Sequence, residues 1–144
     1  MKLDEKMVPY QRISVDNSHL DFREKNTIKT HFYDGIYDSG EAGIDNPLLL
    51  APHQSKDIIA TLYDPTSKRE MTVQTTYDCV VVFTDNFPGD TVLMGQKKRE
   101  KHMGICFETQ HVPNGINIKG EESGILRKNQ HYHHQTIFTF HVKG

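Results

Sequence analysis

Apolar and polar side chains alternate with a period of two along most of the patterned stretches of this chain. That period is the mark of strands with one face buried. Over residues 57–63 it predicts Ile58, Ala60 and Leu62 on one face, and Asp64-Pro65-Thr66-Ser67 then supplies a turn. Residues 69–77 repeat the pattern with Met71, Val73, Thr75 and Tyr77 aligned, and residues 136–142 repeat it with Phe138, Phe140 and Val142 aligned. Residues 80–84 are apolar on both faces, as a central strand requires. Asn86-Phe87-Pro88-Gly89-Asp90 reads as a loop. Threonine, valine and aromatic residues dominate these runs, which suits a pleated surface. Helical signal is scarce: residues 24–37 have room for one short helix or a few turns, weakened by Thr27, Thr30 and Gly35, and residues 38–43 read as loop. Short strands separated by Pro, Gly and Asp turns predict an all-β, antiparallel sandwich with no interior domain boundary.

Composition narrows the class. A length of 144 residues is enough for one sizeable core and too little for two ordinary domains. Seventeen basic and nineteen acidic residues give a net charge of −2, so nothing draws the chain generally to nucleic acid or to anionic lipid. The longest apolar run, Cys79–Phe83, is far below the ~20 residues of a membrane span. Met1-Lys2-Leu3-Asp4-Glu5-Lys6 lacks the apolar core of a signal peptide, and two cysteines make no disulfide framework. The expected setting is cytoplasmic, with no nucleic-acid or membrane partner.

One segment carries candidate chemistry. If residues 104–110 form a strand, Ile105 and Phe107 face the core, and Gly104, Cys106, Glu108 and Gln110 share the other face. A carboxylate and an amide two residues apart on a strand suit a site for hydroxyl groups; the plainer reading is a face that meets water. Three other features carry less. His131 and His133 would share a strand face at metal-ligand spacing, but no acid or cysteine completes a set, so no metal is expected. Lys97-Lys98-Arg99-Glu100-Lys101 reads as a solvated loop. Cys106 reads as a small apolar filler and Cys79 as a core residue.

The same segment carries a resemblance. Gly104-Ile105-Cys106-Phe107-Glu108-Thr109-Gln110-His111-Val112-Pro113-Asn114 is similar to the glutamate-bearing block of the aldose 1-epimerases (galactose mutarotases). Leu20-Asp21-Phe22-Arg23, Gly43-Ile44-Asp45-Asn46 and the segment from Leu62 to Thr75 resemble three further family blocks in order and spacing. The resemblance covers nearly the whole chain. It implies a galactose mutarotase-like supersandwich of which residues 1–144 form a single partial domain, the C-terminal half.

The resemblance also implies a reaction. Members interconvert the α and β anomers of free hexoses by acid/base ring opening, with no metal or organic cofactor. Glu108 matches the catalytic base and Asp45 the sugar-binding aspartate; Gln110 joins them by strand parity. The match departs in two places: Asn46-Pro47-Leu48 stands where the family usually has histidine and then an aromatic, and Pro113-Asn114 where it usually has Pro-Asp. The family's acid is a histidine of the other half, and His19 lies in a different context. The chain is therefore expected to hold the base and part of the sugar site without the acid, and to self-associate or to need a missing N-terminal half. A non-catalytic carbohydrate-binding or regulatory module, or an inactive fragment, is the alternative.

Overall fold

The computed structural model describes residues 1–34 and 42–144. The part of the expected loop at residues 38–41, and the end of the expected turn segment at 35–37, lie outside the described residues. Among the described residues ten strands follow one another: β1 (Lys2–Leu3), β2 (Pro9–Gln11), β3 (Tyr33–Asp34), β4 (Ala42–Gly43), β5 (Asp45–Leu49), β6 (Ile58–Tyr63), β7 (Arg69–Thr75), β8 (Cys79–Phe83), β9 (Cys106–Gln110) and β10 (Thr136–Val142). The only helical pieces among the described residues are 3-10 turns. All assigned strand pairs are antiparallel, and the chain is all-β as its pattern predicts. Of the expected turn segment, the described residues 24–34 hold the 3-10 turn Ile28–His31 and then β3. The loop expectation fails for Ala42 and Gly43, which pair with Asp34 and Tyr33.

The chain forms two compact units: residues 1–48 with 81–108, and residues 49–80 with 109–144. The core of the first unit is Leu20, Ile44 and Val82, with Val15, Phe22, Ile28, Phe32, Leu48, Ile105 and Phe107 packed around it. The Asp-Phe-Arg block gains a physical meaning here. Phe22 enters this core and its ring lies 4.4 Å from that of His31. Arg23 turns outward and bridges Asp21 (Nε to Oδ1, 2.8 Å) and Asp16 (Nη2 to Oδ1, 2.6 Å). The Arg23 guanidinium holds the Asp21 carboxyl down at about 2.

The second unit contains a three-stranded sheet in the order β10-β7-β6. Opposed residues of an antiparallel pair share a face. Phe138 lies opposite Val73, Phe140 opposite Met71, and Leu62 and Ala60 opposite Met71 and Val73. Val73 on the central strand is fully buried, whereas Phe140 on the edge strand is 72% exposed. Alternation therefore identified the apolar face correctly, and position in the sheet decides how much of it is covered. Ile58 departs from the expected pattern. A bulge between Ile58 and Ala60 sets Ile58 opposite Gln74, away from the face of Ala60 and Leu62, and it is left 58% exposed.

The last strand is anchored by charge. The Glu70 carboxylate accepts a hydrogen bond from His141 Nε2 at 2.9 Å and pairs with the Lys143 ammonium. The hydrogen bond from Lys143 lowers the Glu70 pKa, burial opposes this, and His141 adds to the lowering. A carboxyl depressed in the folded state stabilises the fold above its unfolded pKa, about 4.3, and loses that contribution as pH falls through the folded value. Between pH 7 and pH 3 the melting temperature should therefore fall more steeply for the native chain than for Glu70→Gln. Parallel curves by circular dichroism would exclude Glu70 from the acid response.

Candidate functional site

β5, β8 and β9 form a three-stranded sheet with β8 in the middle. The Thr84 N–H donates to Ile44 O at 3.1 Å, and Leu50 N–H donates to Asp78 O at 2.9 Å. Together these bonds make β5 and β8 antiparallel and put Asp45 opposite Phe83. Ile44, Leu48, Val82, Ile105 and Phe107 all pack in the core of the first unit, which fixes the inward face of all three strands. By alternation the opposite face carries Asp45 on β5, Phe83 on β8, and Cys106 and Glu108 on β9. Asp45 and Phe83 are half-buried, and Glu108 and Cys106 are exposed.

Asp45 and Glu108 thus share one face, on the two strands that flank β8. Two strand spacings separate their backbones by ~10 Å in the hydrogen-bonding direction. Phe83 lies on β8, the strand between theirs, and shares that face by alternation. The side that Phe83 takes escaped sequence reasoning, because a strand apolar on both faces does not reveal which of its residues face the core. Gln110 is half-buried and belongs to the second unit, two positions along β9 from Glu108 and on the same side of that strand. Thr109, of opposite parity, bonds through its hydroxyl to Thr136 Oγ1 at 2.6 Å.

The expectation for Cys106 is corrected: its side chain is exposed rather than filling a gap. Cys79 is fully buried, and burial is the main cause that pushes its thiol up to about 12. A thiol reagent such as DTNB should titrate Cys106 quickly in the native chain and Cys79 only after denaturation. Two fast thiols before unfolding would contradict this burial.

The histidine-rich segment also differs from expectation. β10 begins at Thr136, so His131 and His133 are not on a strand and the parity that paired them is absent. Among the described residues no group of three or more His, Cys, Asp and Glu side chains is placed to hold a metal. Instead His134 stacks flat on Tyr77 with ring centres 4.1 Å apart, and His111 Nδ1 meets Asp78 Oδ1 at 3.1 Å. In the basic run, Arg99 turns back on Asp85, with Nε donating to Oδ2 at 3.0 Å, and so braces its loop. A cavity of about 580 Å³ in the first unit is lined by residues such as Phe32, His102 and Ile105, and neither carboxylate is among them. Among the described residues no helix is long and apolar enough to cross a membrane.

Comparison with known proteins gives consistent results. The family model described as Aldose 1-epimerase matches residues 1–139. Galactose mutarotase of Mus musculus is 30% identical over 145 residues, covering 99% of this chain and 41% of that protein. Galactose mutarotase of Homo sapiens is 29% identical with the same coverage. The crystal structure of a GalM/aldose epimerase homologue from C. elegans superposes with a TM-score of 0.82 at 19% identity, covering 99% of this chain and 43% of that one, and so shares its fold. The chain spans about two fifths of the length of the curated relatives it matches.

Proposed function

The chain belongs to the aldose 1-epimerase family, and from that premise we propose that its carboxylate face binds a free hexose and takes part in interconverting the α and β anomers. The observation that carries the reading is the placement of Asp45 and Glu108 on one face of one sheet, on the two strands that flank β8. Glu108 removes the proton of the C1 hydroxyl. The bond from C1 to the ring oxygen breaks and C1 becomes an aldehyde, while the ring oxygen takes a proton from a general acid. Rotation about the bond between C1 and C2 and reversal of the steps closes the other anomer. The Glu108 proton is returned, so the cycle is balanced without a cofactor. Asp45 accepts hydrogen bonds from sugar hydroxyls and holds the ring.

A polarimetric assay on freshly dissolved α-glucose and α-galactose tests this. The native protein is expected to shorten the approach to anomeric equilibrium, and a rate equal to that of buffer would refute it. One observation favours a second reading. The positions that share the face of Asp45 and Glu108 on the three strands of the first unit are Pro47 and Val81, both buried, Phe83 and Cys106, and none is a histidine. A site with a base and no acid would bind sugar without turning it over. Ligand-observed NMR with several hexoses separates the two: binding without acceleration means a carbohydrate-binding module.

A further inference from the structure

The start of β5 is held by a polar bracket inside an otherwise apolar core. Ile44, Thr84 and Asn86 are 1%, 2% and 0% exposed. The Ile44 N–H donates to Thr84 Oγ1 at 2.9 Å, and the Thr84 hydroxyl donates to Asn86 Oδ1 at 2.7 Å. The Asn86 amide donates from Nδ2 to Ile44 O at 3.0 Å, and Thr84 N–H reaches the same carbonyl at 3.1 Å. The ring of bonds is closed: both backbone polar groups of Ile44 are taken, and each side chain both gives and receives. Thr84 is itself fixed at its carbonyl, which lies 2.9 Å from His102 Nδ1.

The neighbouring residue is built to admit this bracket. Gly43 has φ +151, and a Cβ placed there would lie 2.0 Å from Asn86 Oδ1. Only glycine leaves room for the Asn86 amide to close over the backbone. Valine or leucine at 84 and 86 would fill the same space but leave the buried Ile44 N–H without its partner. The bonds instead converge on the peptide groups immediately before Asp45, and an aspartate is an accurate hydrogen-bond acceptor only if its backbone is fixed.

We infer that Thr84 and Asn86 are positioning residues for Asp45, setting the direction of its carboxylate on the face shared with Glu108. The inference rests on Asp45 being a sugar ligand. It goes further by locating the cause of its placement outside the face, in two side chains that touch no substrate.

The test compares Thr84→Val, which keeps shape and removes the hydroxyl, with Thr84→Ser, which restores it. Hexose affinity is read by ligand-observed NMR on the intact protein, KM and kcat by the anomer assay where turnover is present, and folding by the dispersion of the amide spectrum. A misdirected ligand costs roughly 10- to 100-fold. Thr84→Val should weaken hexose binding by about that factor, in KM more than in kcat, and Thr84→Ser should stay within roughly threefold of the native protein. If Thr84→Val does not fold, Thr84→Cys, which keeps a weak donor, should fall between serine and that loss. Native-like affinity in the valine or cysteine variant overturns the positioning role, as does an equal loss with serine. A native protein that binds no hexose at all overturns the reading of Asp45 itself, and is told apart because the native control fails first.

Discussion

Glu108→Gln is expected to remove nearly all anomer interconversion while leaving hexose binding almost unchanged. Glutamine matches glutamate in size and still offers a carbonyl oxygen and an amide to sugar hydroxyls. It cannot take a proton at the strength a base requires. Proton transfer by one positioned group contributes about 10²- to 10⁴-fold, so kcat should fall by that factor and KM by little. Glu108 is exposed at the surface of β9, so the substitution leaves the core untouched and the melting temperature should hold within a degree or two of the native value. The measurement is the initial rate of rotation change for α-galactose against a buffer blank. Full rate in this variant would take Glu108 out of the reaction and return the outward face of β9 to a solvated surface.

The largest stability effect is expected at Ile44. Its side chain is 1% exposed and forms the core of the first unit with Leu20 and Val82. Ile44→Ala removes three carbons and leaves a cavity that the surrounding strands cannot close without breaking the bracket at Thr84 and Asn86. Such truncations cost ~2–5 kcal/mol. At a urea dependence of ~1–3 kcal/mol per molar, the midpoint should fall by roughly 1–2 M. Ile58→Ala is the control. Both residues are isoleucines at apolar positions near strand starts, yet Ile58 is 58% exposed and its truncation should stay within about 0.5 kcal/mol. Equal losses at the two positions would mean that the bulge at Ile58 is not where β6 turns its side chain outward.

The contrast between these two isoleucines shows what a period of two can convey. Over Arg69–Thr75 and Thr136–Val142 the period is unbroken, and the faces read from it are those that the register gives. At Ile58 one extra residue reverses the side, and nothing in Asp57-Ile58-Ile59-Ala60 marks the bulge. Asn86 is a second case. The string Asn-Phe-Pro-Gly-Asp has the composition of a loop, but its first residue is fully buried because Gly43, far away in sequence, leaves a space for its amide. His131 and His133 are a third, since their pairing assumed a strand that begins only at Thr136.

For the candidate site, the chain's own order marks Glu108 and Asp45 through local strings that resemble family blocks, and Gln110 through strand parity. It was also enough for the all-β class and for the inward side of β9, since period and composition are local properties. Tertiary structure alone decided that Asp45 and Glu108 share a face, that Phe83 stands between their strands, and that Thr84 and Asn86 hold the approach to Asp45. Each of these depends on which strands become neighbours and in what register. That choice comes from pairing and packing between residues far apart in the chain, as Ile44 with Thr84 and Leu50 with Asp78, a summed energy that no single stretch of sequence contains.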